Sequence, residues 1–206
     1  MKIHIKQIAF LALFVFSISC KENSKTENKK TNSTPISSAI ENAKEKALNN
    51  STQDRESLKA LYKSLKKKTP LTNDQLLAAL PEHINGNKKL GEHAFSASNQ
   101  FANGVYGSVN SSYNFWIEDG AGSRAIVRNF FDTYKIKNQG PPETQYIFTE
   151  LKGYKTIAFL QPKINRNQIS FIYNNRFRIS LEGIDNANTL WSYIDFENLK
   201  KLDQFN

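Results

Sequence analysis

Cys20 is the single cysteine of the 206-residue sequence, and its position indicates a specific thiol chemistry. An apolar run from Ile8 to Phe16 precedes it, and Lys2 and Lys6 lie on the N-terminal side of that run. The run is shorter than the roughly 20 apolar residues that span a bilayer, and these features are typical of a secretory signal peptide. Because a lone thiol in an exported chain has no disulfide partner, we expect Cys20 to be used at the cleavage site.

The residues Ser17-Ile18-Ser19-Cys20 resemble the lipobox of bacterial lipoproteins, although Ser17 replaces the usual Leu. In that family the signal is cut just before the cysteine, and the thiol receives a diacylglyceryl group. Mature lipoproteins carry more than one acyl chain, which gives a stable membrane anchor. The resemblance therefore implies lipid attachment at Cys20 in the bacterial cell envelope, with the outer membrane as the expected location. The alternative is an ordinary signal peptide followed by a chance thiol.

The net charge of +9 is concentrated near the N-terminus. Residues 21–68 contain twelve Lys or Arg against six Asp or Glu, with Tyr62 as the only aromatic residue. Residues 69–206 contain fourteen against thirteen, with twenty aromatic residues. A nucleic-acid-binding protein carries its basic residues on the folded module, so this distribution argues against a nucleic acid as partner. A basic stretch beside an anchor fits either contact with anionic headgroups or a solvated spacer.

Composition divides the chain into four parts. We expect a signal peptide at 1–19, a flexible lipid-anchored stalk at 20–52, an amphipathic helix at 53–68 and a globular domain at 69–206. The stalk is rich in Lys, Asn, Ser, Thr and Glu, a composition that buries too little apolar surface to fold. The helix has a narrow apolar stripe that suits docking either on the domain or on a partner. That stripe consists of Leu58, Leu61, Tyr62 and Leu65.

Within the domain, Thr72 and Gln75 form a predicted capping box for a short helix that ends at Pro81. Asn174-Asn175 predicts a two-residue hairpin turn, because Asn tolerates the positive φ that such a turn requires. Apolar periodicity predicts the remaining elements. The predicted strands are Lys88–Phe95, Val105–Ile117, Gln145–Leu151, Gly153–Gln161, Gln168–Tyr173 and Arg176–Glu182, and the predicted helices are Ala125–Tyr134 and Asn188–Phe196.

These elements predict an α+β fold, preceded by a helical or disordered stalk. Successive strands with short connections favour an antiparallel sheet of roughly six strands. We expect the helices Ala125–Tyr134 and Asn188–Phe196 to cover one face of that sheet.

Several short motifs, in their order along the chain, resemble a family of uncharacterised bacterial envelope proteins, many of them lipoproteins. The motifs are Leu80-Pro81-Glu82 with Gly86, Asp119-Gly120, Gly153-Tyr154-Lys155, and Arg176-Phe177 leading to Glu182-Gly183. The resemblance covers Leu80 to about Leu202. It implies no known activity, cofactor or catalytic residue.

Few residues have the spacing of a catalytic or metal site. His83 and His93 each follow a glutamate, but no spacing places two ligands on one element, so we predict no metal site. Residues 119–123 precede a helix that contains Arg124 and Arg128, a place where backbone N–H groups bind anions, yet a turn with Ser123 as N-cap explains them. Glu118 and Asp119 are adjacent on a strand and point to opposite faces. We therefore predict no catalytic residue and no cofactor.

The last predicted strand alternates cleanly, which places Arg176 and Arg178 on its polar face. These two residues are the candidate contacts with an acidic partner; the alternative is an ordinary solvated face. The sequence favours a lipid-anchored envelope protein with a binding or assembly role and no enzymatic activity. Its expected partners are the membrane, through the lipid on Cys20, and an envelope protein; an immunity lipoprotein is one version of this role. The alternative is an envelope hydrolase or other enzyme whose site is not recognisable.

Overall fold

A seven-stranded antiparallel sheet is the centre of the computed structural model, which describes residues 52–206. The helices are α1 (52–65), α2 (Asn73–Ala78), α3 (Ala125–Ile136), α4 (Ala187–Ser192) and α5 (Phe196–Leu199), and short 3-10 helices occupy Pro162–Ile164 and Lys200–Phe205. The strands are β1 (His83–Ile84), β2 (Asn87–Lys88), β3 (Phe95–Ser98), β4 (Phe101–Ser108), β5 (Ser111–Asp119), β6 (Gln145–Leu151), β7 (Tyr154–Gln161), β8 (Arg166–Tyr173) and β9 (Phe177–Gly183).

The main sheet has the strand order β3-β4-β5-β9-β8-β7-β6, and β1 and β2 form a separate two-stranded ribbon. Every pair of neighbouring strands is antiparallel. The last strand in sequence, β9, lies in the middle of the sheet between β5 and β8. The predicted α+β class with an antiparallel sheet is confirmed.

The two faces of the sheet are covered by different helices. One face, here called the core face, carries Ile117, Phe171 and Ile179 and packs against α2, α4 and α5. The other face, here called the α3 face, carries Ile157 and Ile172 and packs against α1 and α3. Successive residues of a strand alternate between the two faces. Because β7 and β8 have apolar residues at both odd and even positions, they present apolar side chains to both faces.

The prediction that the helices cover a single face is therefore wrong. Val127 and Phe130 of α3 pack with Ile157 and Ile172 in the smaller hydrophobic cluster, whereas α4 packs in the larger cluster on the opposite face. The physical reason is that β7 and β8 are apolar on both faces, and a strand of this kind needs packing partners on both sides of the sheet.

The predicted long strand at Val105–Ile117 is a hairpin. Ser108 pairs with Ser111, so Val109 and Asn110 form a two-residue turn between β4 and β5. A two-residue turn exchanges the parity of the two strands: even-numbered residues of β4 and odd-numbered residues of β5 share the core face. Val109, which the single-strand prediction placed in the apolar row, is instead 85% exposed.

Two other element boundaries differ from the prediction. The expected strand Lys88–Phe95 is broken, because Gly91 adopts a positive φ of 81° between β2 and β3. The expected helix Asn188–Phe196 is split, because the side chain of Asp195 accepts a hydrogen bond from the Asn198 backbone N–H and starts a new helix.

Two local signals, one for a helix cap and one for a turn, agree with the structure. The capping box is present, with the Thr72 Oγ1 accepting from the Gln75 backbone N–H at 3.3 Å and the Gln75 Oε1 accepting from the Thr72 N–H at 2.9 Å. Asn174 and Asn175 both have positive φ, at 49° and 55°, between β8 and β9. Both predictions are confirmed.

Helix α1 docks on the domain, which was one of the two alternatives for its apolar stripe. Leu65 is fully buried, and Leu61 and Tyr62 pack against the cluster on the α3 face. The backbone N–H of Gly122 also donates to the Leu65 carbonyl oxygen at 2.8 Å. The folded unit therefore includes α1 rather than beginning at residue 69.

Ile179 provides a test of the core face, because it is fully buried in the central strand β9. We expect Ile179→Ala to lower the free energy of unfolding by roughly 2–5 kcal/mol, since the lost methyl groups leave a cavity. Ile164→Ala is the matched control: Ile164 is 63% exposed, and its loss should change stability by less than about 0.5 kcal/mol. Urea unfolding of the chain from Lys21 onward, made without lipid, measures both; equal effects would contradict the assigned core.

Candidate functional site

Arg176, a candidate partner-facing residue, is buried in the domain. Its side chain is 2% exposed, and that of Asp119, its ion-pair partner, is 0% exposed. The Arg176 Nε donates to the Asp119 Oδ1 at 2.7 Å, and the Nη2 donates to the Oδ2 at 2.8 Å. This bidentate geometry is the strongest form of an arginine–carboxylate contact. The prediction that Arg176 faces a partner is therefore wrong, because the turn before β9 directs the side chain inward.

The remaining hydrogen bonds of the pair reach three other segments. Arg176 also donates to the backbone carbonyl oxygens of Thr69, at 3.0 Å, and Phe205. Asp119 accepts from the backbone N–H of Leu71 at 2.8 Å and of Ala121 at 2.9 Å. The pair thus connects the segment after α1, the end of β5, the start of β9 and the C-terminal segment. Its role is structural.

Arg178, the second candidate, lies on the α3 face and pairs with Glu118 of the neighbouring strand β5. Its side chain is about one-third exposed, at 35%. Glu118 and Asp119 therefore point to opposite faces and pair with different arginines, as the alternation of the strand predicts. The acidic group that Arg178 contacts is intramolecular, and contact with an external partner stays a prediction.

The loop before α3 uses its own backbone donors. The N–H of Gly120 donates to the Arg176 carbonyl oxygen at 3.0 Å, that of Gly122 to Leu65, and that of Arg124 to Gly120. A Cβ at position 120 would lie 2.8 Å from the same Arg176 oxygen, so this close approach requires glycine. With these donors engaged, the loop does not present the array of free N–H groups that binds an anion.

The N-cap of α3 is Arg124, in a left-handed conformation with φ 54°, rather than the predicted Ser123. The Ser123 Oγ accepts only a long 3.4 Å hydrogen bond from the Ala125 N–H.

His83 and His93 are both exposed. Among residues 52–206, no group of three His, Cys, Asp or Glu side chains is placed to hold a metal ion.

Two buried tyrosines of the sheet form hydrogen bonds with segments that pack against its core face. The Tyr106 hydroxyl donates to the Pro81 carbonyl oxygen at 2.6 Å, and the Tyr173 hydroxyl donates to the Asp203 Oδ1 at 2.7 Å. Burial raises the pKa of both hydroxyls well above the ordinary value of 10, and the hydrogen bond to Asp203 raises that of Tyr173 further. Both therefore stay protonated and act as structural donors.

Sequence reasoning missed the feature of the described domain that is best suited to binding, the edge strand β6. Among the described strands, β7 is the only one that pairs with β6. Its seven residues pair in continuous register, from Gln145 opposite Leu160 to Leu151 opposite Tyr154, without a bulge. It contains no proline and no lysine, and Glu150 is its single charged residue.

The opposite edge of the sheet is protected. Strand β3 has four residues, and α2 packs against it. Short length and a covering helix are two of the devices by which natural sheets prevent pairing with another chain. β6 lacks both, although the Tyr134 hydroxyl of α3 donates to one of its backbone carbonyl oxygens, that of Thr149, at 3.0 Å.

An apolar groove of about 470 Å³ lies on the core face beside β6, where α4 begins and leaves the end of the sheet uncovered. We call it the β6 groove. Ile147, Leu151 and Leu160 are half-exposed in it. None of the residues that line it is charged. They are Ile147, Thr149, Leu151, Thr156, Ala158, Leu160, Asn167, Ile169, Asn186, Ala187 and Asn188.

These features define a class of protein: an α+β domain with one protected and one open sheet edge. Comparison of the chain with protein-family models, with curated proteins and with solved structures gives no match. The resemblances to lipoproteins and to envelope proteins therefore stay predictions.

Cys20 and all of the predicted stalk except its last residue, Thr52, lie outside the described residues. Within residues 52–206, none of the helices combines the length and the hydropathy that crossing a membrane would take.

Removal of one partner from the buried ion pair tests its structural role. We expect Asp119→Ala to lower the free energy of unfolding by about 3–5 kcal/mol, because it leaves the Arg176 guanidinium buried without a countercharge. Asp132→Ala is the matched control, since Asp132 is 60% exposed and lies 4.0 Å from Arg128; its cost should stay below about 1 kcal/mol. Denaturant unfolding of the chain from Lys21 onward measures both, and similar costs would show that the pair is dispensable.

Proposed function

We propose that this chain is a lipid-anchored protein of the bacterial cell envelope whose folded domain binds a partner protein by strand addition at β6. The resemblance of residues 17–20 to a lipobox supports the anchor at Cys20. The open edge of β6 supports the binding role, and it is the single observation on which that role depends. The domain serves binding or assembly rather than catalysis.

Strand addition follows from the backbone of β6. A strand at the end of a sheet has N–H and C=O groups on its outer side that have no neighbouring strand, and they pair readily with an extended peptide. Seven residues in regular register extend over roughly 23 Å at about 3.3 Å per residue, which is long enough for several such hydrogen bonds.

The side chains beside β6 favour one chemistry in the proposed partner. The β6 groove has no charged lining residue, so the partner strand presents uncharged apolar side chains at alternate positions on the core face. On the α3 face, Glu150 shares its side with Tyr146 and Phe148, so a basic residue of the partner is favoured there. The occupant is thus an extended segment of another envelope protein.

The anchor and the stalk strengthen such an interaction. Tethering confines the domain to one membrane and raises its effective concentration near partners that share it. Neutralisation of a toxin that reaches the envelope is one form of this role, and assembly of an envelope complex is another.

Replacement of Cys20 tests the anchor. Cys20→Ala removes the thiol that accepts the lipid, so we expect loss of labelling by a palmitate analogue and loss of membrane fractionation. Ser17→Ala is the control, because it keeps the thiol and should keep the label. A Cys20→Ala protein that is still labelled and still sediments with membranes would refute the anchor.

Photocrosslinking in intact cells tests the edge. A photoreactive residue replaces either Thr149, exposed on β6, or Ser98, exposed on the protected edge strand β3. We expect position 149 to form adducts with an extended segment of one envelope protein, and position 98 to form none with that protein. Ile147→Lys should reduce the adducts at position 149 at least tenfold, because a lysine on an edge strand opposes pairing.

The pattern of adducts distinguishes the outcomes. Equal adducts at both edges, or adducts at position 149 that survive Ile147→Lys, would refute strand addition at β6. Adducts between two copies of this chain, with no other protein, would replace the proposed partner by a homodimer formed through β6.

A further inference from the structure

A cleft lined by residues of α1 and α3 lies on the α3 face of the sheet. Its chemistry differs from that of the β6 groove, which lies on the core face. We call it the α1–α3 cleft. Its volume is about 450 Å³, which lies in the range of roughly 300–1,000 Å³ typical of small-molecule sites. A second cavity of about 470 Å³ shares Asp54, Leu58, Phe131 and Lys155 with it, so the two cavities adjoin.

The floor of the α1–α3 cleft is apolar and largely aromatic. Leu58 and Tyr62 of α1 and Phe131 and Tyr134 of α3 line it, and each of these side chains is half-buried. Burial, followed by the nearby charge of Asp132, raises the pKa of the Tyr62 hydroxyl. The cleft thus offers partly exposed rings that a bound molecule would cover.

The rim of the same cleft is cationic. Five Lys or Arg side chains line it against two Asp, a net charge of +3, and the described residues 52–206 as a whole carry a net charge of +5. The five are Arg55, Lys59, Lys135, Lys137 and Lys155.

Lys155 is the best placed of the five. Its Nζ lies 5.8 Å from the Phe131 ring centroid and 5.7 Å from the Tyr134 ring centroid, within the range of a cation–π contact. It lines both cavities and so stands where the apolar floor meets the charged rim. Lys155 lies opposite Glu150 of β6 in the strand register, and Lys59 is engaged by Glu56 at 2.7 Å.

We propose that the α1–α3 cleft binds a small amphipathic anion, with its acidic headgroup beside Lys155 and Lys135 and its alkyl or aromatic body on the floor of Leu58, Phe131 and Tyr134. Convergent cations over an apolar floor complement such a molecule in both charge and polarity. Lys135 also lies in the last turn of α3, where a cation interacts favourably with the helix dipole. The helix dipole by itself would explain why a lysine occupies position 135. It does not explain the lysine at position 155, which belongs to β7.

Isothermal titration calorimetry with dodecanoate at submicellar concentration tests the proposal, using the chain from Lys21 onward made without lipid. We expect saturable 1:1 binding that weakens when NaCl rises from 50 to 500 mM, because salt screens exposed charges. Acetate, which lacks the apolar chain, and dodecyltrimethylammonium, which has the opposite charge, should show no saturable binding.

Matched variants locate the site. Lys155→Gln and Lys135→Gln should each raise the Kd for dodecanoate at least fivefold, and Leu58→Ser at least threefold. Lys88→Gln, which removes an exposed lysine of β2 outside the cleft, should change it less than twofold. Circular dichroism and unfolding midpoints should match the unmodified chain, since Lys155, Lys135 and Lys88 are exposed.

Three results would overturn the proposal. One is the absence of saturable dodecanoate binding. Another is an equal effect of Lys155→Gln and Lys88→Gln. The third is binding to vesicles with 30% anionic phospholipid but not to dodecanoate, which would assign these cations to contact with a membrane surface. Because the β6 groove is not involved, each result is independent of the proposed strand addition.

Discussion

The buried pair of Arg176 and Asp119 is the interaction on which the arrangement of the domain depends. Removing two charges from water costs several kcal/mol per ion, and only good geometry with further hydrogen bonds offsets that cost. Here both Asp119 oxygens are used, and the guanidinium also reaches the carbonyl oxygens of Thr69 and Phe205. The pair therefore holds the segment after α1 and the C-terminal segment against the end of β5 and the start of β9.

The middle position of β9 explains why these contacts are possible. As the last strand in sequence, it lies between β5 and β8, so its first residues meet the end of β5 and the loop that leads into α3. The same loop contacts α1 through the bond from Gly122 to Leu65. Helix α1 is thereby fixed to the folded unit.

The two candidate binding features occupy different parts of this framework. The β6 groove lies on the core face at the open edge, has no charged lining residue and suits an apolar strand. The α1–α3 cleft lies beside α3 and combines aromatic rings with cations. The buried arginine belongs to neither, because its hydrogen bonds are taken up within the fold. Function is therefore proposed from surfaces that backbone topology exposes rather than from the buried ion pair.

Local chemistry made several features predictable. The capping box at Thr72 and Gln75 and the hairpin at Asn174-Asn175 depend on side chains and backbone only a few residues apart, so the sequence determined them by itself. The strand β6 was predicted with its observed bounds. The apolar stripe predicted for α1 includes Leu65, which is buried, although the sequence left open whether the domain or a partner covers it. The antiparallel α+β class followed from the succession of strands with short connections.

Properties that depend on long-range pairing were decided by the tertiary structure alone. No periodicity distinguishes an edge strand from an inner one, so the exposure of β6 follows only from the strand order. The parity of β4 and β5 depended on a turn at Val109-Asn110 that has no strong sequence signal, and the two covered faces depended on where α3 packs. In the sequence, Arg176 falls on the polar side of the alternating pattern of the last strand. In the structure it precedes β9, and its side chain turns inward because the buried carboxylate of Asp119, 57 positions away, provides its countercharge.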